Sequence, residues 1–166
     1  MALAATFRTA IHSTSNIAAF TTTTGAFTPA ANSLMLCFTC GRGATGSANT
    51  VTGNGATYTR DAALNKAFSD NAGVIDCWVA DAGASPSSGE ITATWGSARS
   101  GASVVVIEVT GWDTSVAATA AVINQVVGGA GTGTGSVTLA AASDSNNRPF
   151  SFWAHEANEG STFRTN

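Results

Sequence analysis

Apolar residues alternate with Thr, Ser and Ala in short runs along this chain, and clusters of Gly, Ser, Asn or Pro separate the runs. The period of two, with Val, Ile, Thr and aromatic residues in the runs, predicts strands over 5–12, 17–22, 33–40, 57–60, 74–80, 90–95, 103–109, 136–140 and 150–156. Many short strands with turn chemistry between them point to an all-β fold, an antiparallel β-sandwich or barrel. The stretch 115–127, SVAATAAVINQVV, competes as one short helix and reads equally well as a loop followed by a strand.

The faces of two strands can be read further. In 74–81 the row Val74, Asp76, Trp78, Ala80 and the row Ile75, Cys77, Val79, Asp81 both carry apolar residues, so one face is expected to meet a neighbour. In 104–109 the alternation is cleaner, and Val105, Ile107 and Val109 are expected to face the core. The run GGAGTGTGS, 128–136, loses much backbone entropy on ordering and offers little to bury, which predicts a mobile loop or arm. Residues 1–16 are expected as an N-terminal arm or edge strand, and 17–166 as a single sandwich domain.

Composition adds a surface to this picture. At 166 residues the chain can bury one core without disulfides or metals. Only 10% of residues are charged against 44% hydrophobic, and Lys66 is the one lysine. A surface made of Thr, Ser, Ala, Asn and Gly suits closely apposed protein faces. The net charge of −3, with basic residues scattered, provides no stripe to neutralise phosphates, so nucleic acid is not an expected partner. No run approaches the ~20 apolar residues of a membrane span. MALAATFRTAIHSTS lacks the charged start and apolar core of a signal peptide, and three cysteines cannot all pair within one chain. Folding in a reducing cytoplasm is therefore expected.

Candidate chemistry concentrates in LMLCFTCGRGATG, 34–46. Cys37 and Cys40 form a C-x-x-C, which needs a helix N-terminus to act as a redox pair, or further ligands to hold zinc. On a strand, two residues an odd number of positions apart point to opposite faces, so both are expected as small buried hydrophobes. Gly41, Gly43 and Gly46 form a G-x-G-x-x-G with Asp61 downstream, but SANTVTGNGATYT cannot supply the helix that a dinucleotide site requires. It reads as a strand-to-strand loop. His12 and His155 have no local nucleophile or base, and the strand acids Asp76, Glu108 and Glu156 lack the spacing of a glycosidase pair. Asp144, Asn146 and Asn147 can offer oxygens to calcium, yet a turn is the expected use. No catalytic, cofactor-binding or metal-binding set emerges, and an enzyme is not expected. Among Trp78, Trp95, Trp112 and Trp153, core or subunit-interface anchoring competes with a sugar-stacking platform, for which Trp78, Trp112 and Trp153 are the candidates.

Four stretches taken together, FTPAANSLMLCF (27–38), NTVTGNGATYT (49–59), GEITATW (89–95) and VVVIEVTGWD (104–113), with NRPFSFWAH (147–155), resemble a group of β-rich structural proteins of tailed bacteriophages. The resemblance covers scaffold residues over about the first two-thirds of the chain. It implies a jelly-roll-like sandwich, a virion location on the capsid surface after synthesis in the host cytoplasm, and a capsid decoration or cement role. The implied partners are the major capsid protein or other virion proteins, with the chain itself a homo-oligomer, dimer or trimer. It also implies strands beyond 150–156, so either fewer strands close the sandwich or a neighbouring subunit completes it. The alternative is a carbohydrate-binding sandwich module of a tail or fibre protein.

Overall fold

Strand-favouring residues and a turn chemistry that reverses the chain every few residues produce two antiparallel sheets. The computed structural model describes residues 3–13, 17–21, 26–43, 46–68, 73–122, 149–152 and 163–165. In chain order the elements are β1 (Ala4–Ser13), β2 (Ile17–Thr21), β3 (Leu34–Arg42), β4 (Ala48–Gly53), β5 (Ala56–Thr57) and β6 (Thr59–Phe68). There follow β7 (Gly73–Asp81), β8 (Thr92–Arg99), β9 (Gly101–Thr110), α1 (Ala118–Ala121), β10 (Phe150–Phe152) and β11 (Phe163–Thr165). One sheet has the order β1-β9-β3-β7-β6 and the other β2-β8-β4-β5, while β10 and β11 form a separate antiparallel pair. The order is nested. The first strand lies beside the ninth, the second beside the eighth, and the third and fourth come next inward, which is the pairing of a jelly roll. Residues 4–110 of this one chain supply both sheets.

The sheets meet through Met35, Cys37, Trp78, Ala80, Val104 and Val106 on one side and Ala48, Val51, Ile91, Ala93 and Trp95 on the other. A second apolar cluster covers the opposite face of the five-stranded sheet. It contains Leu34, Leu36, Cys77, Val79, Val105, Ile107, Val109 and Trp112, with Ala118, Ala121, Val122 and Phe150 packed onto it. The central strands β9, β3 and β7 of this sheet are thus buried on both faces, and this is why β7 and β9 read as nearly continuous apolar runs. Both rows of β9 lie in apolar core: Val105, Ile107 and Val109 in the second cluster, as expected, and Val104 and Val106 in the one between the sheets. The second face of β7 is covered by the chain's own segment around α1 and by Phe150.

Helix α1 is a single turn inside the stretch that competes between helix and loop, and its role is to lay small apolar side chains on this sheet. Between β4 and β5 the chain reverses at Asn54 and Gly55, whose φ values of 52° and 70° are those of a type I′ hairpin turn. Asn54 is buried, and its Nδ2 donates to the carbonyl oxygens of Phe27 at 2.6 Å and Gly89 at 2.9 Å, tying three loops together at one end of the sandwich. β4 and the length of β6 are absent from the sequence expectation, which treats 47–56 as loop. The Gly-rich run 128–136, the predicted strand 136–140, Asp144, Asn146, Asn147, Trp153, His155 and Glu156 lie outside the described residues.

Candidate functional site

The end of β3 carries the glycines that look like a nucleotide fingerprint, and the fold gives each a packing reason. At Gly41 an added Cβ would stand 3.1 Å from Trp95 Nε1 and 3.3 Å from Arg99 Cδ, so its missing side chain is the space that β8 fills. Gly43 has φ +92° and a Cβ there would meet Ser100 Oγ at 2.6 Å. At Gly46 the neighbour is Arg99 Nη2, at 3.2 Å from the same hypothetical atom, and Arg99 Nη2 donates to the Gly46 carbonyl oxygen. These residues lead from β3 into β4, and no helix lies among the described residues between them.

Cys37 lies in the core between the sheets, whereas Cys77 lies in the second cluster. Cys40 shares the strand parity of Leu34 and Leu36, and so the face opposite to Cys37. All three cysteines are buried, and burial pushes the thiols of Cys37 and Cys77 well above the usual cysteine range.

Polar residues gather where β3, β6, β7 and β8 approach one another. Asp76 is fully buried on the inner face of β7, directly opposite Thr39 of β3. Asn65 Nδ2 donates to Asp76 Oδ1 at 2.6 Å and to Ser47 Oγ at 2.8 Å. Arg60 Nη1 stands 3.9 Å from the same Oδ1. The other carboxylate oxygen, Oδ2, is buried without a hydrogen-bond partner, as are Thr39 Oγ1 and Trp78 Nε1. Burial of the Arg99 guanidinium lowers its pKa from the ordinary arginine value, and the Asp76 carboxylate opposes that shift. Arg60 pairs with Trp78 across the strands and Asp61 with Cys77, so Asp61 belongs to the opposite face of the sheet. Above this group a cleft of about 490 Å³ opens to solvent, lined by Gly46, Ser47, Ala48, Asn49, Arg60 and Trp78.

The second strand acid is placed differently. Glu108 receives Arg8 Nε and Nη2 at one carboxylate oxygen and the Ala30 backbone N–H at the other, 2.6 Å away. Arg8 is the extra residue of a β-bulge, since Phe7 pairs with Ile107 and Thr9 already with Val106. Its guanidinium also lies 5.9 Å from the centre of the Phe27 ring. Trp112 is 8% exposed and donates its Nε1–H to the Asn32 carbonyl oxygen at 2.8 Å, while Trp78 is 7% exposed. Neither ring therefore presents an open face on which a sugar could stack. His12 Nδ1 lies 2.9 Å from Ser103 Oγ, and no group of three or more His, Cys, Asp or Glu residues converges on a metal position among the described residues.

The outer edge of the five-stranded sheet is the remaining feature. β1 pairs with β9 on one side and with no other strand among the described residues, and Ala4 to Arg8 are exposed. Phe7, which ends the uncharged run Ala4–Phe7, is 57% exposed. Sequence reading marks this strand only as an arm or edge; the bulge and the exposed ring come from the pairing. The chain matches no known family model, no curated protein and no solved structure.

Proposed function

We propose that this chain is a non-enzymatic structural subunit of the capsid decoration or cement type, binding the major capsid protein or other virion proteins as a homo-oligomeric dimer or trimer. The observation that carries this reading is the edge of β1. Exposed sheet edges offer unpaired backbone N–H and C=O groups to another chain, and natural proteins usually guard them with lysines or prolines. Ala4–Phe7 has neither, and it adds the exposed Phe7 ring as an apolar anchor. A charge-poor exterior favours the same use, because contact then buries few charges at a desolvation cost. The jelly-roll order is a fold shared by viral capsid and lectin domains, which supports the resemblance as an analogy only.

The test is co-sedimentation of the purified protein with empty heads of the phage that encodes it, alongside sedimentation velocity of the protein alone. The expected result is saturable binding and a dimer or trimer. Phe7→Asp is expected to weaken head binding or self-association by about tenfold, the effect of losing roughly 1.4 kcal/mol at an aromatic anchor. A monomer that ignores heads at every concentration overturns the reading.

A further inference from the structure

We infer that the cleft between β4 and the β6–β7 edge is a binding site for a neutral, hexose-sized saccharide unit. The inference does not rest on a virion role. A cleft of about 490 Å³ falls in the size range of small-ligand sites. Its rim carries the Asn49 amide and the Arg60 guanidinium, both on exposed residues, and the wall carries the Ser47 hydroxyl. Ser47 Oγ already accepts from Asn65 Nδ2, which leaves its own hydrogen available to donate. Trp78 forms the floor.

Beneath the cleft, three buried side-chain atoms on neighbouring positions of β3 and β7 have no hydrogen-bond partner. Trp78 Nε1 and Asp76 Oδ2 are two positions apart on one strand face, and Thr39 Oγ1 is directly across from Asp76. Buried polar groups are normally hydrogen-bonded, so a cluster of unpartnered ones next to an opening marks a place where a polar ligand gains more than on an ordinary surface. The cluster mixes donors and acceptors: an indole N–H, a hydroxyl and a carboxylate oxygen. Sugar hydroxyls both donate and accept, and so match the Ser47 hydroxyl, Asn49 amide and Arg60 guanidinium that line the cleft above it.

Charge decides between a sugar and an anion. The Asp76 carboxylate lies near two guanidiniums, those of Arg60 and Arg99. An anion would have to compete with Asp76 for these cations, whereas a neutral polyol can bridge them. Arg60 has a 41% exposed side chain on a flexible stem, so its guanidinium is free to turn from Asp76 toward a ligand.

The experiment is an amide and indole NMR titration of the full chain with glucose, galactose and N-acetylglucosamine, with inorganic phosphate as the anionic probe. At least one hexose is expected to give saturating shifts at Ser47, Asn49 and the Trp78 indole N–H, at about millimolar concentration. Asn49→Ala and Arg60→Gln are each expected to weaken binding by about fivefold, the loss of one hydrogen bond. Both residues are exposed, and unchanged signals away from the cleft report that the variants fold. The inference is overturned by an absence of saturable cleft shifts with all three sugars, by phosphate reproducing them, or by both variants binding like the parent chain.

Discussion

Two carboxylates are buried on the inner face of the same five-stranded sheet, and the two ends of the sandwich treat them in opposite ways. Glu108 has both oxygens occupied, one by the Arg8 guanidinium and one by the Ala30 N–H. Asp76 has one oxygen held by Asn65 and the other without a hydrogen-bond partner. A buried charge is tolerable when fully paired and costly when not. The Glu108 end is thus a latch, joining β1, β9 and the loop before β3. The Asp76 end retains unused hydrogen-bonding capacity beneath an open cleft, and sites for ligands are made of such capacity.

This contrast is broken most directly by removing each acid. Glu108→Ala strands the Arg8 guanidinium and the Ala30 N–H, and losing one member of a buried pair costs about 3–5 kcal/mol. Because the Arg8 side chain is 32% exposed, water compensates in part and the lower end, about 3 kcal/mol, is expected. Urea unfolding of the variant should show a midpoint reduced accordingly at an unchanged slope. A loss below about 1 kcal/mol would mean that the latch is ornamental on the scale of ordinary surface ion pairs.

Asp76→Asn should be milder. The new side chain keeps an oxygen to accept from Asn65, and its amide replaces an oxygen that has no partner. The attraction lost to Arg60 acts over 3.9 Å to a partly exposed group, so the expected destabilisation is roughly 1 kcal/mol. The same urea titration distinguishes the two ends. If Asp76→Asn cost as much as Glu108→Ala, Asp76 would be a structural linchpin like its counterpart and the cleft would lose its special standing.

Sequence patterning carries the architecture further than it carries these sites. The opposed faces of Cys37 and Cys40 follow from strand parity alone, and the rejection of a nucleotide turn follows from the missing helix. The double burial of β9 is legible in Val104 to Val109, where both rows are apolar apart from Glu108. Asn54-Gly55 is a strong hairpin signal, and it marks the turn between β4 and β5. The bulges have no such signal. Arg8 reaches Glu108 because an extra residue is inserted in β1 at that position, and Asn49 stands at a similar irregularity between Ala48 and Thr50. Arg99 is the clearest case of tertiary override. It is a strand-end arginine that reads as exposed, and the space left by Gly41 and Gly46 accommodates its buried side chain.

A third carboxylate shows what hydrogen bonds do without burial. Asp113 is exposed, and its Oδ1 accepts from the Ser115 N–H at 2.9 Å and the Ser115 hydroxyl at 2.6 Å. Those bonds, the hydroxyl first, favour the ionised form and hold its pKa below the ordinary aspartate value of 3.8. A depressed native pKa means that the unfolded chain binds its proton at higher pH than the native one does. The stabilisation is therefore complete above the unfolded pKa and fades as pH falls through the native one. An NMR titration of the Asp113 carboxyl should find a midpoint below 3.8, and Ser115→Ala should move it upward. The change in stability should be small, since water surrounds the group and screens it. An unmoved midpoint in Ser115→Ala would assign the shift to something other than these two bonds, and would weaken the inference that hydrogen-bond supply, more than depth, separates Glu108 from Asp76.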